Sequence, residues 1–103
     1  MRQFDVFPNP SPRSRVAVPF IVLMQSHFID RMPTALIAPL IREPRSGDFT
    51  RVSAVVRLNH ETLYLSLAEM APILRSSLKR SVGSVTSFED DIRRALDRLF
   101  TGF

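Results

Sequence analysis

The most regular hydrophobic pattern in the chain lies in its closing stretch, residues 86–103. Its apolar residues recur three and four positions apart, as they do along one face of an α-helix. They are Phe88, Ile92, Ala95, Leu96, Leu99, Phe100 and Phe103. Thr86 followed by Glu89 predicts a capping box at the start of this helix, and Gly102 predicts its C-terminal cap. The apolar stripe continues into Phe100 and Phe103 at the end of the sequence, where polar residues are commoner.

Charged residues along this helix follow the order that its dipole favours. Acidic residues come first and arginines follow; they are Glu89, Asp90, Asp91, Arg93, Arg94 and Arg98. Negative charge near the N-terminus of a helix and positive charge near its C-terminus are both stabilising. The spacing also predicts the ion pairs Glu89–Arg93 and Asp90–Arg94, one turn apart. We therefore interpret the carboxylates as first-turn charges rather than as a catalytic pair.

Upstream of the helix, short apolar runs separated by turn residues predict strands. The predicted strands are residues 3–7, 16–24, 34–41, 52–58 and 63–67, with a short extended segment at 81–85. Residues 52–58 alternate between apolar and polar positions, and with 63–67 they predict a hairpin that turns at 59–61. Residues 73–79 fit either a strand or a helix. Antiparallel strands followed by one C-terminal helix predict an α+β fold, a small barrel or curled sheet with the helix packed on it.

Two loops that carry proline and arginine separate the first strands. Residues 8–15 contain three prolines, which prevent regular structure there. Residues 42–50 combine charged residues with proline and glycine, which is typical of an exposed loop. Proline also falls inside the predicted strand 16–24. Pro19 predicts an edge or a bulge in that strand, because proline cannot donate a hydrogen bond to a sheet ladder.

The 103 residues are enough for one domain with a modest core, and we predict a single domain over residues 1–103. Cysteine is absent from the sequence, which excludes a disulfide framework, a thiol nucleophile and a cysteine-ligated metal. Such a composition is typical of a reducing cytoplasm. The apolar run 16–24 is too short to cross a membrane and contains Pro19, so we expect a cytoplasmic protein without a membrane partner.

The charge balance adds information about partners. The net charge of +4 arises from 14 Lys and Arg residues against 10 Asp and Glu residues. A basic balance favours an anionic partner. The arginines are scattered, without a run or an interleaved aromatic repeat, so an acidic protein segment is favoured over direct binding of nucleic acid.

Side chains able to carry catalysis are few. His27 and His60 lie far apart in the sequence, and no metal-ligand spacing, phosphate-binding loop, dinucleotide-binding glycine pattern or serine-nucleophile motif is present. We therefore expect neither a metal nor a cofactor. RNA cleavage through the 2′-hydroxyl stays open as an alternative, with Arg13, Arg15 and His27 as its candidate groups.

Several apolar residues fall where exposure is expected. Phe28 and Ile29 lie in a turn bracketed by polar residues, and Phe100 and Phe103 lie at the chain end. Exposed aromatic residues in such places usually mark an interface. The residues therefore favour a binding protein over an enzyme.

A family resemblance rests on short segments that occur in order along the chain. They are Gln3-Phe4-Asp5-Val6-Phe7 with Asn9-Pro10, Gln25-Ser26 with Ile29-Asp30, Leu36-Ile37-Ala38-Pro39-Leu40, and Ala95-Leu96-Asp97 with Leu99-Phe100-Thr101-Gly102-Phe103. In their order and spacing they resemble the CcdB toxins of bacterial toxin–antitoxin modules, over nearly the whole chain. The resemblance implies an SH3-like antiparallel β-barrel with one C-terminal α-helix, assembled as a homodimer and without enzymatic activity.

The resemblance also implies partners. CcdB toxins bind the A subunit of DNA gyrase and trap its complex with cleaved DNA, and an acidic, disordered CcdA antitoxin neutralises them. A basic toxin suits an acidic antitoxin. The gyrase-binding positions implied here are Phe28, Ile29, Asp97, Phe100, Thr101, Gly102 and Phe103. The candidate antitoxin-binding residues are the loop arginines Arg13, Arg15, Arg42 and Arg45.

The chain departs from the family pattern at several positions. Thr101 stands where the family has Trp, and Phe103 stands where it has Ile, so the aromatic area at this end comes from phenylalanine. Leu23, His27 and Ala35 stand where the family often has Asp, Asp and Arg. The alternative function is an endoribonuclease toxin of the MazF or Kid type, on the related barrel. A third is a family member that has lost gyrase poisoning and survives as an interaction protein.

Overall fold

The chain forms a curled antiparallel sheet with a C-terminal helix packed on one face. A computed structural model describes residues 1–26 and 31–102, and the elements below are those of the described residues. The strands are β1 Asp5–Pro8, β2 Phe20–Leu23, β3 Thr34–Ile41, β4 Ser53–Leu58, β5 Glu61–Ser66, β6 Ala71–Leu74 and β7 Gly83–Ser84. The helices are α1 Asp48–Arg51 and α2 Glu89–Thr101. Single 3₁₀ turns lie at Pro12–Ser14, Leu67–Glu69, Arg75–Ser77 and Thr86–Phe88.

The strand order explains the curl of the sheet. The strands are arranged β4-β5-β3-β2-β1-β7, and β6 also pairs with β3. The C-terminal end of β3 pairs with β5, where Leu40 opposes Leu65, whereas its N-terminal half pairs with β6, where Leu36 opposes Pro72. The chain between β5 and β6 therefore bends along one edge of β3. This arrangement confirms the predicted α+β fold, a small SH3-like antiparallel half-barrel with a C-terminal helix.

The two ends of the strand order approach one another across the curl. A Cβ atom at Gly83 of β7 would lie 3.0 Å from Cδ1 of Leu58 in β4. Leu58 is itself buried. A glycine within a strand often marks such a close approach. Gly83 therefore lets β7 come near β4, and the main core is enclosed from both ends of the sheet.

The face of the sheet that α2 covers holds the main core. Its buried members are Phe4, Val6, Val22, Met24, Ala38, Leu40, Ala54, Val56, Leu58, Leu63, Leu65, Leu67, Val85, Ile92 and Ala95. The alternation in β4 is confirmed: Ala54, Val56 and Leu58 point into this core. Val55 and Arg57, which lie between them, are exposed. Tight packing of this cluster fixes the position of α2 on the sheet.

A second apolar cluster lies on the opposite face of β1, β2 and β3. It consists of Phe7, Ile21, Leu23, Ala35, Ile37 and Leu78. Leu23 and Ala35, the two positions where the resemblance implies charged residues in the family, are both buried, with exposures of 3% and 0%. An unpaired charge at either position would be costly. Apolar side chains at these positions suit this face, and β2 is a continuous apolar run buried on both faces, as predicted.

The β4–β5 hairpin also forms as predicted. Leu58 opposes Glu61, so Asn59 and His60 make a two-residue turn. Their φ angles are 52° and 66°, both in the left-handed region. Two residues with positive φ are the mark of the type I′ turn, whose twist suits a hairpin. His60 is therefore an exposed turn residue.

The predictions about Pro19 and about the start of the second strand are wrong, and residues 73–79 fit neither of the two structures considered for them. β2 begins at Phe20 rather than at residue 16, so Pro19 precedes the strand instead of interrupting it. β2 lies between β1 and β3 and is not an edge. The Pro19 carbonyl instead accepts a hydrogen bond from the Asn9 N–H at 3.1 Å. Residues 73–79 are neither a single strand nor a single helix, because they span the end of β6 and a 3₁₀ turn.

The start of α2 also differs from its prediction. Thr86 lies in a 3₁₀ turn, and Phe88 precedes α2 without a side-chain cap. The Thr86 hydroxyl is hydrogen-bonded to that of Ser84 at 2.7 Å. The predicted capping box is therefore wrong, because a local bond to Ser84 satisfies the hydroxyl that would have capped Glu89.

The ion pairs on α2 follow the prediction in part. Glu89 pairs with Arg93 at 3.0 Å, as the spacing predicts. Arg94 pairs with Asp91 at 2.7 Å, one residue nearer than the predicted Asp90. Both spacings bring side chains together on a helix surface, so the acidic residues are explained as first-turn charges.

Candidate target-binding surface

α2 has a buried face and an exposed end. Ile92 and Ala95 are fully buried, and Leu99 is partly buried against the main core. Phe100 belongs to the same apolar pattern but is 73% exposed. Successive residues of a helix are rotated by about 100°, so Phe100 turns away from the face that Leu99 presents to the core. The helix therefore ends in an aromatic side chain that its own core does not use.

The last turn of α2 has a defined backbone. Gly102 has a φ of 81°, and its N–H donates to the Arg98 carbonyl at 3.1 Å, which confirms the predicted C-cap. This left-handed conformation favours glycine. The Thr101 hydroxyl donates to the Asp97 carbonyl at 2.6 Å. Asp97, Phe100, Thr101 and Gly102 are all exposed, so four of the predicted gyrase-binding residues lie together at this end.

The remaining predicted gyrase-binding residues, Phe28, Ile29 and Phe103, lie outside the described residues, as does His27. Their place at this surface stays a prediction. The described residues just before this segment are tied to the sheet. The side-chain oxygen of Gln25 accepts a hydrogen bond from the Leu36 N–H of β3 at 2.8 Å.

A groove that the sequence pattern does not predict lies beside the end of α2. It is a cavity of about 250 Å³ between α1 and α2, lined by Asp48, Phe49, Val52, Ala68, Arg98 and Leu99. A second cavity of about 250 Å³ continues the groove from Val52 to Gly102. The sequence feature that could have indicated this groove is Phe49, an aromatic residue in a charged loop. Phe49 is 44% exposed. The Arg98 Nε donates to the Arg51 carbonyl at 2.6 Å and fixes α1 against α2.

The structure brings two of the predicted antitoxin-binding arginines together. Arg15 Nε donates to the Asn9 carbonyl at 2.7 Å. Arg42 Nε pairs with the Glu61 carboxylate at 2.8 Å, and Arg42 Nη1 donates to the Arg15 carbonyl at 3.4 Å and to the Val16 carbonyl at 2.5 Å. The loop 8–15 and the start of the loop 42–50 therefore form one basic surface.

Arg45 lies at a separate position. Its Nε and Nη2 each contact the Glu69 carboxylate at 3.1 Å, and the Ser66 hydroxyl donates to the same carboxylate at 2.5 Å. The hydrogen bond from Arg45 lowers the pKa of Glu69, partial burial opposes that shift, and the bond from Ser66 supports it. Arg45 is thus held against the 3₁₀ turn that follows β5.

Arg13 differs from the other three predicted arginines. It is exposed, and its side chain has no hydrogen bond or ion pair among residues 1–26 and 31–102. Its charge is therefore available to a partner without displacing an internal contact. The ion pairs of Arg42 and Arg45 are themselves partly exposed, and pairs of that kind contribute little to stability.

The described residues do not bring metal-ligating side chains together. Within the described parts of the chain, no three His, Cys, Asp or Glu side chains are grouped so that they could hold a metal ion. The same residues include no buried side-chain nitrogen or oxygen without a hydrogen-bond partner. None of their helices is long and apolar enough to span a bilayer. What the surface offers instead is an exposed aromatic residue, a capped helix end and an apolar groove, which suits the binding of another macromolecule.

Comparison with known proteins agrees with this description. The family model described as CcdB protein matches residues 3–102, nearly the whole chain. No curated protein matches the chain. The family match supports the resemblance in the segments quoted above, and it does not favour the endoribonuclease alternative.

Proposed function

This chain belongs to the CcdB family, whose members are toxins of toxin–antitoxin modules, and on that premise we propose that it binds the A subunit of DNA gyrase. The bound toxin traps gyrase in its complex with cleaved DNA, and this arrests the cell. The observation that carries the proposal is the exposure of Phe100, 73%, on a helix end whose backbone is fixed by Gly102. The protein acts by binding and not by catalysis, and it needs no cofactor.

Phe100 supplies the anchor for this contact. An exposed aromatic side chain buries a large apolar area when it enters a pocket, and such residues dominate binding energy at interfaces. Thr101 stands where the family has Trp, and its hydroxyl is held by the Asp97 carbonyl. The aromatic contact therefore comes from the neighbouring Phe100, with Phe103 as its predicted companion. Phe28 and Ile29 complete the predicted contact.

The groove between α1 and α2 extends this contact. Phe49 and Val52 give it an apolar wall, and Gly102 lies at its end. A target segment that covers Phe100 can continue into this groove without a change in the toxin backbone. Rigid presentation of the anchor lowers the entropic cost of binding.

An acidic CcdA-like antitoxin is the second proposed partner. Arg13 offers a free charge, and Arg15 and Arg42 share one basic surface. An acidic segment can take the place of Glu61 on Arg42 and of Glu69 on Arg45, because both pairs are partly exposed. The disordered segment would fold as it binds.

We further propose that residues 1–103 form a single cytoplasmic toxin domain and that this domain forms a homodimer. Support for self-association comes from β3 and β6, where Leu36 and Leu74 lie on the same sheet face. Their exposures are 36% and 61%. Neighbouring exposed leucines of this kind suit an interface between protein chains.

The test is a DNA-cleavage assay with purified gyrase and the wild-type chain. We expect cleaved DNA to accumulate when the toxin is added, and to return to the background level with Phe100→Ala. Val16→Ala is the matched control, because Val16 is 81% exposed in a loop away from α2. Absence of cleaved DNA with a folded wild-type chain would refute gyrase poisoning. Harmless overexpression with retained antitoxin binding would identify the chain as an interaction protein.

A further inference from the structure

The strand β4 has a free edge. It stands at one end of the strand order, so among the described residues no strand pairs with the side that faces away from β5. The Val52 carbonyl accepts a hydrogen bond from the Leu67 N–H at 3.1 Å, on the β5 side. In an antiparallel pair the groups that face the partner recur at every second residue. The N–H and C=O groups of Ser53, Val55 and Arg57 therefore point to the free edge.

The free edge borders an open groove. A cavity of about 220 Å³ separates it from α2, and its lining is Ser53, Ala54, Val55, Asp91, Arg94 and Arg98. Val55 is 54% exposed at the centre of the strand. The groove thus combines main-chain donors and acceptors with an apolar side chain, which is what an added strand requires.

The charges around this edge are mostly positive. Arg51, Arg57 and Arg98 are exposed, and none of them has an acidic partner within the described ranges. Within the described residues, the Arg57 guanidinium donates hydrogen bonds to the Thr62 hydroxyl and the His60 carbonyl, each at 3.4 Å. Among the described residues that line the groove, the carboxylate is that of Asp91, and it is paired with Arg94. Asp48 lines a neighbouring cavity with Arg51 and Arg98, so arginines outnumber carboxylates around this edge.

We propose that the free edge of β4 binds an extended acidic segment of a partner protein, which adds to the sheet as a further strand. Main-chain hydrogen bonds from Val55 and Arg57 would hold the segment, and carboxylates at alternate positions would meet Arg51, Arg57 and Arg98. A second copy of this chain fits the edge less well. Edge-to-edge pairing of two β4 strands would bring the positively charged edges of two copies together, and repulsion between like charges destabilises such a pair.

The inference that β4 binds an acidic segment rests on the proposed function, since an acidic partner is part of that proposal. It adds a site that the loop arginines do not form. The four predicted antitoxin residues lie in loops, whereas Ser53, Val55 and Arg57 lie on the sheet. Binding at β4 and poisoning of gyrase at the end of α2 are therefore separable by experiment.

The test measures binding of a synthetic peptide of alternating Glu and Val residues to the full-length chain, with a Lys-for-Glu peptide as control. Backbone amides are followed by hydrogen exchange and NMR. We expect the acidic peptide to bind, to slow exchange at Val55 and Arg57, and to lose affinity as salt rises. The Lys peptide should not bind.

Two substitutions at Val55 distinguish binding through the main-chain N–H from binding through the side chain. Val55→Pro removes the outward N–H but leaves the β4–β5 ladder intact, because that N–H does not face β5. Val55→Thr keeps the N–H. We expect Val55→Pro to weaken peptide binding by about tenfold, the effect of losing one hydrogen bond and its geometry, and Val55→Thr to change it little. Arg51→Glu/Arg57→Glu, both on exposed side chains, should abolish binding even where Val55→Pro perturbs the fold.

Several results would overturn the proposal. They are no binding of the acidic peptide, equal binding of the Lys peptide, protection of amides only in the loops 8–15 and 42–50, or unchanged binding by the Arg51→Glu/Arg57→Glu variant. Pairing of β4 with β4 in a dimer of the free chain would assign the edge to a second copy instead. The gyrase DNA-cleavage assay of Val55→Pro is a separate measurement, and we expect wild-type levels of cleaved DNA.

Discussion

The middle and the end of α2 use similar residues for different purposes. Ile92 and Ala95 are fully buried in the main core, whereas Phe100, in the same apolar stripe, is 73% exposed. Both regions are regular helix, so the difference is not one of local structure. A single helical apolar pattern thus combines residues that hold the fold with residues that are kept for a partner. Changes in the first region should alter stability, and changes in the second should alter binding.

The largest expected effect on stability is that of Ile92→Ala. This side chain is fully buried between α2 and the sheet, so its truncation leaves a cavity in the main core. We expect the free energy of unfolding to fall by about 2–4 kcal/mol. Denaturant titration measures it, with Arg93→Ala on the exposed face as a control that should change stability by less than about 0.5 kcal/mol. A small effect of Ile92→Ala would mean that α2 does not depend on this packing.

Phe100→Ala should show the opposite pattern. Because the side chain is mostly exposed, we expect the unfolding free energy to stay within about 0.5 kcal/mol of the wild-type value. We expect affinity for the A subunit of gyrase to fall by at least about 2 kcal/mol, roughly 30-fold, as for an aromatic hot spot. Calorimetry of binding alongside denaturant titration provides both values. A loss of stability without a loss of affinity would mean that Phe100 holds the fold and does not serve a partner.

Gly102→Ala probes the last turn of α2, where the exposed region ends. There is open space around Gly102, so an added methyl group meets no neighbour, but the φ of 81° is strained for alanine. We expect a loss of about 1 kcal/mol in unfolding free energy, or an unwinding of the last turn. The amide signals of Thr101 and Gly102 in NMR spectra distinguish the two results. Unchanged stability and an unchanged last turn would show that the cap contributes nothing.

The smallest effect is expected at Glu69, beside the groove wall. Arg45 holds the pKa of Glu69 below its ordinary value of 4.5, so the pair stabilises the fold at neutral pH. That contribution is lost as pH falls through the folded-state pKa, because the unfolded chain binds this proton at a higher pH than the folded chain does. The pair is partly exposed, so Glu69→Gln should cost less than about 1 kcal/mol at pH 7.

Unfolding curves of wild type and Glu69→Gln at several pH values test this. The two proteins should differ in stability at pH 7 and converge as pH falls below 4.5, the ordinary value for this group. A difference that persists with equal size at low pH would mean that packing, and not the ion pair, holds Glu69.

Much of the fold could be predicted from local pattern. The β4–β5 hairpin follows from strict alternation, since a one-residue slip in register would turn Ala54 and Val56 away from the core. The helix α2 and its C-cap follow from apolar spacing and Gly102. The resemblance to CcdB, carried by short segments at matching positions, agrees with the family match over residues 3–102.

The errors arose where a competing hydrogen bond or a contact from elsewhere in the chain overrides the sequence signal. The capping box failed because Ser84 satisfies the Thr86 hydroxyl. The edge expected at Pro19 failed because the loop carrying Asn9 folds back onto it. No local pattern reveals that α1 and α2 enclose a groove, because Phe49 and Leu99 are distant in sequence.

Photo-crosslinking from position 100 shows directly whether the end of α2 contacts gyrase. A chain with p-benzoylphenylalanine in place of Phe100 is irradiated with the purified A subunit of gyrase, and the same analogue at Val16 is the control. We expect a covalent product from position 100 and none from position 16. If the toxin binds gyrase but crosslinks only from position 16, or from neither position, the end of α2 is not the binding surface.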